Sequence, residues 1–141
     1  MRTIKFRGKC VPDSEYAGLW ATGSYVPPEP ESKHQEEGLM ITFYGDNCTS
    51  TVHVIPESVG QFVYKTFVKK DKAVREIYEG DILRGRQPYE KGSHIGYVKY
   101  DESTQRFKLH TINNYLEDLV VFSIDEVLGN TFDNPDLLKG E

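Results

Sequence analysis

Apolar and polar positions alternate with a period of two through much of this chain, and helical spacing is scarce. Thr3-Ile4-Lys5-Phe6-Arg7 alternates as a strand with one buried face would. Leu39-Met40-Ile41-Thr42-Phe43-Tyr44 is short, apolar and bulky, and Gly45-Asp46-Asn47 closes it as a turn. Thr49-Ser50-Thr51-Val52-His53-Val54-Ile55 then returns, so residues 39–55 predict a hairpin. A further β-rich run, Gln61 to Val68, ends at the charged turn Lys69-Lys70-Asp71-Lys72. Ile95 to Tyr100 and Arg106 to His110 alternate on either side of Asp101-Glu102-Ser103-Thr104, the clearest hairpin in the chain. Leu119-Val120-Val121-Phe122 predicts a buried strand, and Glu126 to Thr131 another. Strands about ten residues apart, joined by turns, indicate an all-β roll or barrel.

Helix signals are confined to two places. Asn134-Pro135-Asp136-Leu137-Leu138 offers a cap residue, a proline at the first helical position and an acid in the first turn, which predicts a short C-terminal helical turn. Asn113 to Asp118 predicts a helical turn or a loop. The stretch from Pro27 to Gly38 holds three prolines, five charged side chains and no aliphatic residue, so it buries too little apolar surface to offset its ordering entropy. A mobile loop is expected near 21–38. Pro56 and Gly60 bracket a boundary, which divides the chain into an N-terminal β-lobe over 1–60 and a C-terminal β-barrel over 61–141, two lobes in contact.

Composition narrows the class without naming an activity. Of 141 residues, 38% are hydrophobic and 28% charged, too apolar for a disordered chain. No apolar run approaches the roughly 20 residues of a membrane span, and the basic start at Met1–Lys9 yields no signal-peptide core. Cys10 and Cys48 are too few for a disulfide framework, so free thiols in a bacterial cytoplasm are expected. The net charge of −5 opposes binding nucleic acid by charge alone. Its distribution changes the picture, because residues 65–91 carry eight Lys/Arg against five Asp/Glu, while residues 101–141 carry three against nine.

That basic strip holds the candidate binding surface: Lys69, Lys70, Arg84, Arg86, Tyr89 and Lys91, with Arg84-Gly85-Arg86 as a flexible basic tip. Tyr64, Phe67, Tyr78, Tyr89, Tyr97 and Tyr100 lie among these cations, and exposed rings there could stack on bases at roughly 1–3 kcal/mol each. The same rings, in strand register, would equally serve as core. Phosphate loops, dinucleotide fingerprints, His-Glu-x-x-His and nucleophile elbows are all missing from the sequence. Cys10, Cys48, His34 and His53 have no metal-ligand spacing, Cys48 with His53 reads as packing before chemistry, and His94 and His110 flank the clearest hairpin, either facing each other or exposed. Glu79 and Asp81 around Gly80 suit a tight turn in which carboxylates accept backbone N–H bonds; a catalytic or metal-binding pair is the alternative. Gly129-Asn130 is a place for a bend or bulge in the last strand.

Four blocks occur in order: Ile4-Lys5-Phe6-Arg7; Glu57-Ser58-Val59-Gly60-Gln61-Phe62; Ile77-Tyr78-Glu79-Gly80-Asp81-Ile82-Leu83; and Val127-Leu128-Gly129-Asn130-Thr131-Phe132-Asp133-Asn134-Pro135-Asp136-Leu137-Leu138. Together they resemble the YopX family of bacteriophage and prophage proteins. Two departures from the family pattern stand out: Gly8-Lys9 where Ala-Trp is usual, with Trp20 as a replacement for the missing aromatic, and Val63-Tyr64-Lys65 where Thr-Gly-Leu is usual. The resemblance implies a mainly β fold whose C-terminal part is an SH3-type barrel, and a phage or prophage gene. It implies no reaction. The expected function is a non-catalytic binding module for a host or phage protein or for its own copies, with no cofactor, no metal and no membrane. Weak nucleic-acid binding through residues 65–91 is the alternative.

Overall fold

A computed structural model describes residues 4–28, 37–44 and 48–139 of the chain. The fold is mainly β, with two antiparallel sheets and two short 3-10 turns among the described residues. Two compact units divide it, one ending at Phe62 and the other beginning at Val63. No helix is long and apolar enough to cross a membrane among the described residues.

In the first unit, strands β1 (Phe6–Lys9), β2 (Trp20–Val26), β3 (Gly38–Tyr44) and β4 (Cys48–Val54) and the start of β5 (Gly60–Val68) lie in the order β4-β3-β2-β1-β5. The expected 39–55 hairpin is β3 with β4, in register from Gly38 opposite Val54 to Tyr44 opposite Cys48. Its turn, Gly45-Asp46-Asn47, lies outside the described residues. Strand β2 takes up residues that the sequence placed in a loop beginning near 21. Its small residues carry little pattern of their own; Gly23 faces Phe6 on one side and Ser24 faces Ile41 on the other, so pairing on both edges makes the strand. The rest of that loop, residues 29–36 with His34, is outside the described residues.

Gly8 of the departure Gly8-Lys9 is buried, and a Cβ there would stand 3.1 Å from both Val54 and Val59. Close approach explains the glycine. Trp20 lies opposite Lys9, and the Arg7 guanidinium sits 5.0 Å from its ring centre. A 3-10 turn at Pro56–Ser58 leads into β5, where the Ser58 hydroxyl donates to the Ile55 carbonyl (2.6 Å) and accepts from the Lys9 N–H (2.8 Å).

In the second unit the rest of β5 is joined by β6 (Ala73–Tyr78), and the remaining strands form a sheet of order β10-β9-β8-β7-β11. These are β7 (Asp81–Arg86), β8 (His94–Asp101), β9 (Arg106–Thr111), β10 (Leu116–Asp118) and β11 (Ser123–Asn130). The core gathers Val68 and Ile77 from β5 and β6 with Leu83, Val98, Leu109 and Ile124 from the second sheet, and adds Leu119 and Phe122. Each such side chain contributes roughly 1.5–3 kcal/mol on burial. The predicted hairpin is β8 with β9, from Gly96 opposite Thr111 to Asp101 opposite Arg106. Asp101 organises its turn by accepting from the Ser103 and Thr104 hydroxyls, and the Thr104 bond leads in holding its carboxyl below the usual range.

Several expectations need correction. Arg84-Gly85-Arg86 is the end of strand β7 and no loop tip, because Gly85 pairs with Ile124 and His94. The segment expected as a helical turn or loop over 113–118 ends in strand β10, paired to β9. Leu119-Val120-Val121-Phe122 is a bend, closed by the Phe122 N–H on the Leu119 carbonyl at 3.2 Å. The bend buries Leu119 and Phe122 and leaves Val120 88% exposed, an arrangement a strand's period of two would not produce. The closed SH3-type barrel is also absent: the sheet is open, with β10 and β11 as its edges. The β10 edge is met by Gln87, just beyond β7, whose Nε2 donates to Glu117 Oε2 at 3.3 Å and to the Asp118 carbonyl at 3.4 Å. Asn134, finally, precedes a 3-10 turn over Pro135–Leu138 but does not cap it. Its Oδ1 accepts instead from the Asn130 N–H at 3.3 Å.

Candidate functional site

The basic residues of the strip are drawn together by β11. Ile124 pairs with Gly85 and Glu126 with Arg84, so Asp125 is an extra residue in a bulge. A bulge bends its strand and re-aims a side chain, and here Asp125 and Glu126 both meet cations. Glu126 pairs with Lys70 at 2.5 Å and Arg84 at 2.7 Å; Asp125 pairs with Lys69 and Arg86, each at 3.4 Å. The Lys69 and Lys70 N–H groups donate to the Ile124 and Asp125 carbonyls, which fixes the β5–β6 turn over the bulge. The Lys70 hydrogen bond leads in holding the Glu126 carboxyl below its ordinary value. Four of the six expected surface residues therefore converge, but on two carboxylates that offset half of their charge.

The aromatics of the strip divide. Tyr64 packs against the core, its hydroxyl has no hydrogen-bond partner, and burial pushes that group up to about 12. Tyr78 is buried, and Tyr97 stacks on His110 with centroids 5.1 Å apart. Phe67, Tyr100 and Tyr89 are exposed, Tyr89 at 99%. Tyr89 and Lys91, the other two expected surface residues, lie in the loop between β7 and β8 and take no part in these four ion pairs.

That loop forms one wall of a cleft of ≈ 380 Å³. Gln87, Pro88, Tyr89 and Glu90 line it from the loop, and Glu117, Asp118 and Val121 from β10 and the bend beyond. At its side His94, the first residue of β8, stands between two carboxylates. Its Nε2 is 2.8 Å from Glu90 Oε2 and its Nδ1 2.6 Å from Glu117 Oε1. Glu117 is only 11% exposed, and Gln87 holds its second oxygen. Arg106 stands 3.8 Å from Asp118. This convergence was not recognised in the sequence. Glu90 and His94 are four residues apart, a local hint, but Glu117 comes from β10, 23 residues beyond His94.

Elsewhere the residues weighed for chemistry are occupied structurally. Asp81 is buried and accepts the Tyr78 N–H at 2.8 Å across the Glu79-Gly80 corner. His53 pairs with Glu37 at 3.2 Å, while the Cys48 side chain lies outside the described residues. Cys10 is a buried free thiol whose pKa burial raises.

A family model described as YopX protein matches residues 27–139. The chain belongs to the YopX family. The match takes in the 57–62, 77–83 and 127–138 blocks, while Ile4-Lys5-Phe6-Arg7 falls before it. Every residue of the cleft and of the cation cluster lies within the YopX segment. No curated protein and no solved structure matches the chain.

Proposed function

We propose that this YopX chain is a phage- or prophage-encoded, non-catalytic binding module of the bacterial cytoplasm, its second unit an SH3-like roll. Its partner is an extended protein segment that carries Lys or Arg beside an apolar residue. The observation that carries the reading is the cleft between the β7–β8 loop and β10. Tyr89 is almost wholly free of the fold, Val121 lies on the facing wall, and Glu90, Glu117 and Asp118 supply negative charge. Exposed aromatic anchors beside unlike charge suit protein recognition, where a few such residues carry most of the affinity. The nucleic-acid alternative is less favoured because Asp125 and Glu126 already pair four of the strip's cations.

Selection from a randomised decapeptide library tests this. Recovered peptides should pair Lys or Arg with an apolar residue, and Tyr89→Ala should weaken the best of them at least about sixfold, on the order of 1 kcal/mol or more. Recovery of acidic peptides, or binding untouched by Tyr89→Ala, would overturn the reading. Single-stranded DNA bound in a strongly salt-dependent way, and released by charge reversal at Arg84 and Arg86, would put nucleic acid in its place.

A further inference from the structure

We infer that Glu90, His94 and Glu117 form a site for one divalent transition-metal ion. The three donor atoms lie within 4.8 Å of one another and come from two separate parts of the second unit, the β7–β8 hairpin and β10. One imidazole with two carboxylates is a mixed nitrogen–oxygen set that suits zinc, cobalt, nickel or manganese better than calcium or magnesium.

The chemistry of the cluster explains why an ion belongs there. Both ring nitrogens of His94 face a carboxylate oxygen. One ion can bond to only one of them, so it would sit at Nδ1 beside Glu117, and Glu90, now at Nε2, would swing round to reach it. Two carboxylates and a neutral ring carry two negative charges, which a divalent ion would balance. The ion takes the lone pair of one ring nitrogen while the other keeps its N–H, so a neutral ring gives up no proton on binding.

The ligands differ in their freedom. Glu117 is nearly buried and oriented by Gln87, a partner of the kind that fixes metal-binding carboxylates. Glu90 is half-exposed on its loop and can swing. Tetrahedral metal–ligand bonds of about 2.0–2.2 Å put donors about 3.3–3.6 Å apart. The His94 and Glu117 donors, now at 2.6 Å, therefore open by about 1 Å or less while Glu90 comes round from the other ring nitrogen. Glu90 and Glu117 also line the cleft, one from each wall. The ion would tie the two walls of the cleft together.

Calorimetry with Zn²⁺ alone tests the site without any protein partner, so its outcome stands apart from the partner reading. The intact chain should bind one ion, with a single-site isotherm. Gln87→Ala should weaken binding about tenfold, and His94→Gln, Glu117→Gln and Glu90→Gln should each weaken it further. Glu90→Gln alters an exposed side chain and keeps the test valid if a buried substitution unfolds the chain. Absence of binding to the intact chain, or an affinity unchanged by both Glu90→Gln and His94→Gln, would overturn the assignment.

Discussion

Asp81 offers a direct test of whether the recurring Tyr78-Glu79-Gly80-Asp81 segment is architecture or chemistry. Its side chain is 3% exposed, and its Oδ2 accepts the Tyr78 N–H at 2.8 Å across the two-residue corner between β6 and β7. Gly80, at φ +93°, takes a conformation that other residues rarely adopt, donates to the Val98 carbonyl and accepts from the Thr131 N–H, each at 2.8 Å. Asp81→Ala removes the acceptor and leaves the Tyr78 N–H buried without this bond. A hydrogen bond to a charged group contributes about 1.5–3 kcal/mol, so a loss of ~2 kcal/mol is expected. For a chain of this length each kcal/mol moves the melting temperature by about 4 °C, which puts the shift near 8 °C. Asp81→Asn keeps a carbonyl acceptor and should lose about half as much. Glu79→Ala, at the half-buried corner position, should stay within about 0.5 kcal/mol. Thermal and urea unfolding followed by far-ultraviolet circular dichroism measure all three. If Asp81→Ala unfolds within 0.5 kcal/mol of the parent chain, or Glu79→Ala costs as much, the architectural account fails.

Other substitutions probe separate parts of the fold. Tyr64→Phe deletes a buried hydroxyl without a partner and should be neutral or stabilising by up to about 1 kcal/mol. The raised Tyr64 pKa also carries a sign: its contribution is complete below the ordinary value of 10.0 and is lost as pH rises towards about 12. Urea midpoints at pH 9 and pH 11 should therefore fall further apart in the parent than in Tyr64→Phe, and equal gaps would contradict the burial argument. Cys10, with its thiol pKa raised by burial, should react with a thiol reagent far more slowly in the native chain than in urea at pH 8; mass spectrometry locates the label, and equal rates would show an open site. Asp125→Asn with Glu126→Gln frees four cations, so the variant should leave a heparin column at higher salt, with stability changed by about 1 kcal/mol or less per exposed pair. Unchanged retention would mean that the two carboxylates do not mask the strip.

Much of the fold was legible because its hairpins are local. The runs 39–55 and 95–110 alternate within themselves and are separated by short turns, so register follows from the chain's own pattern. The Glu79-Gly80 corner could be read for the same reason, and the C-terminal turn was placed correctly although its cap was not. β2 escaped notice because Ala21, Thr22, Gly23 and Ser24 have no apolar alternation, and two neighbouring strands impose its extended form. Leu119 to Phe122 misled in the opposite way: four apolar residues suggest a strand, yet only the two reached by a bend enter the core.

The site was less legible than the fold. Lys69, Lys70, Arg84 and Arg86 were visible as a basic strip, but nothing local showed that one extra residue in β11 would bring Asp125 and Glu126 to them. Glu117 was hidden too, being 23 residues beyond His94 and on the outermost strand of its sheet. By itself the sequence determined the β class, the principal hairpins and the family, since strand alternation, turn residues and motif order are properties of neighbours along the chain. The tertiary structure alone decided strand order, the open edge at β10 and the meeting of Glu90, His94 and Glu117. Those depend on which strands pair and which side chains meet between segments far apart in sequence, and no pattern among neighbours fixes that.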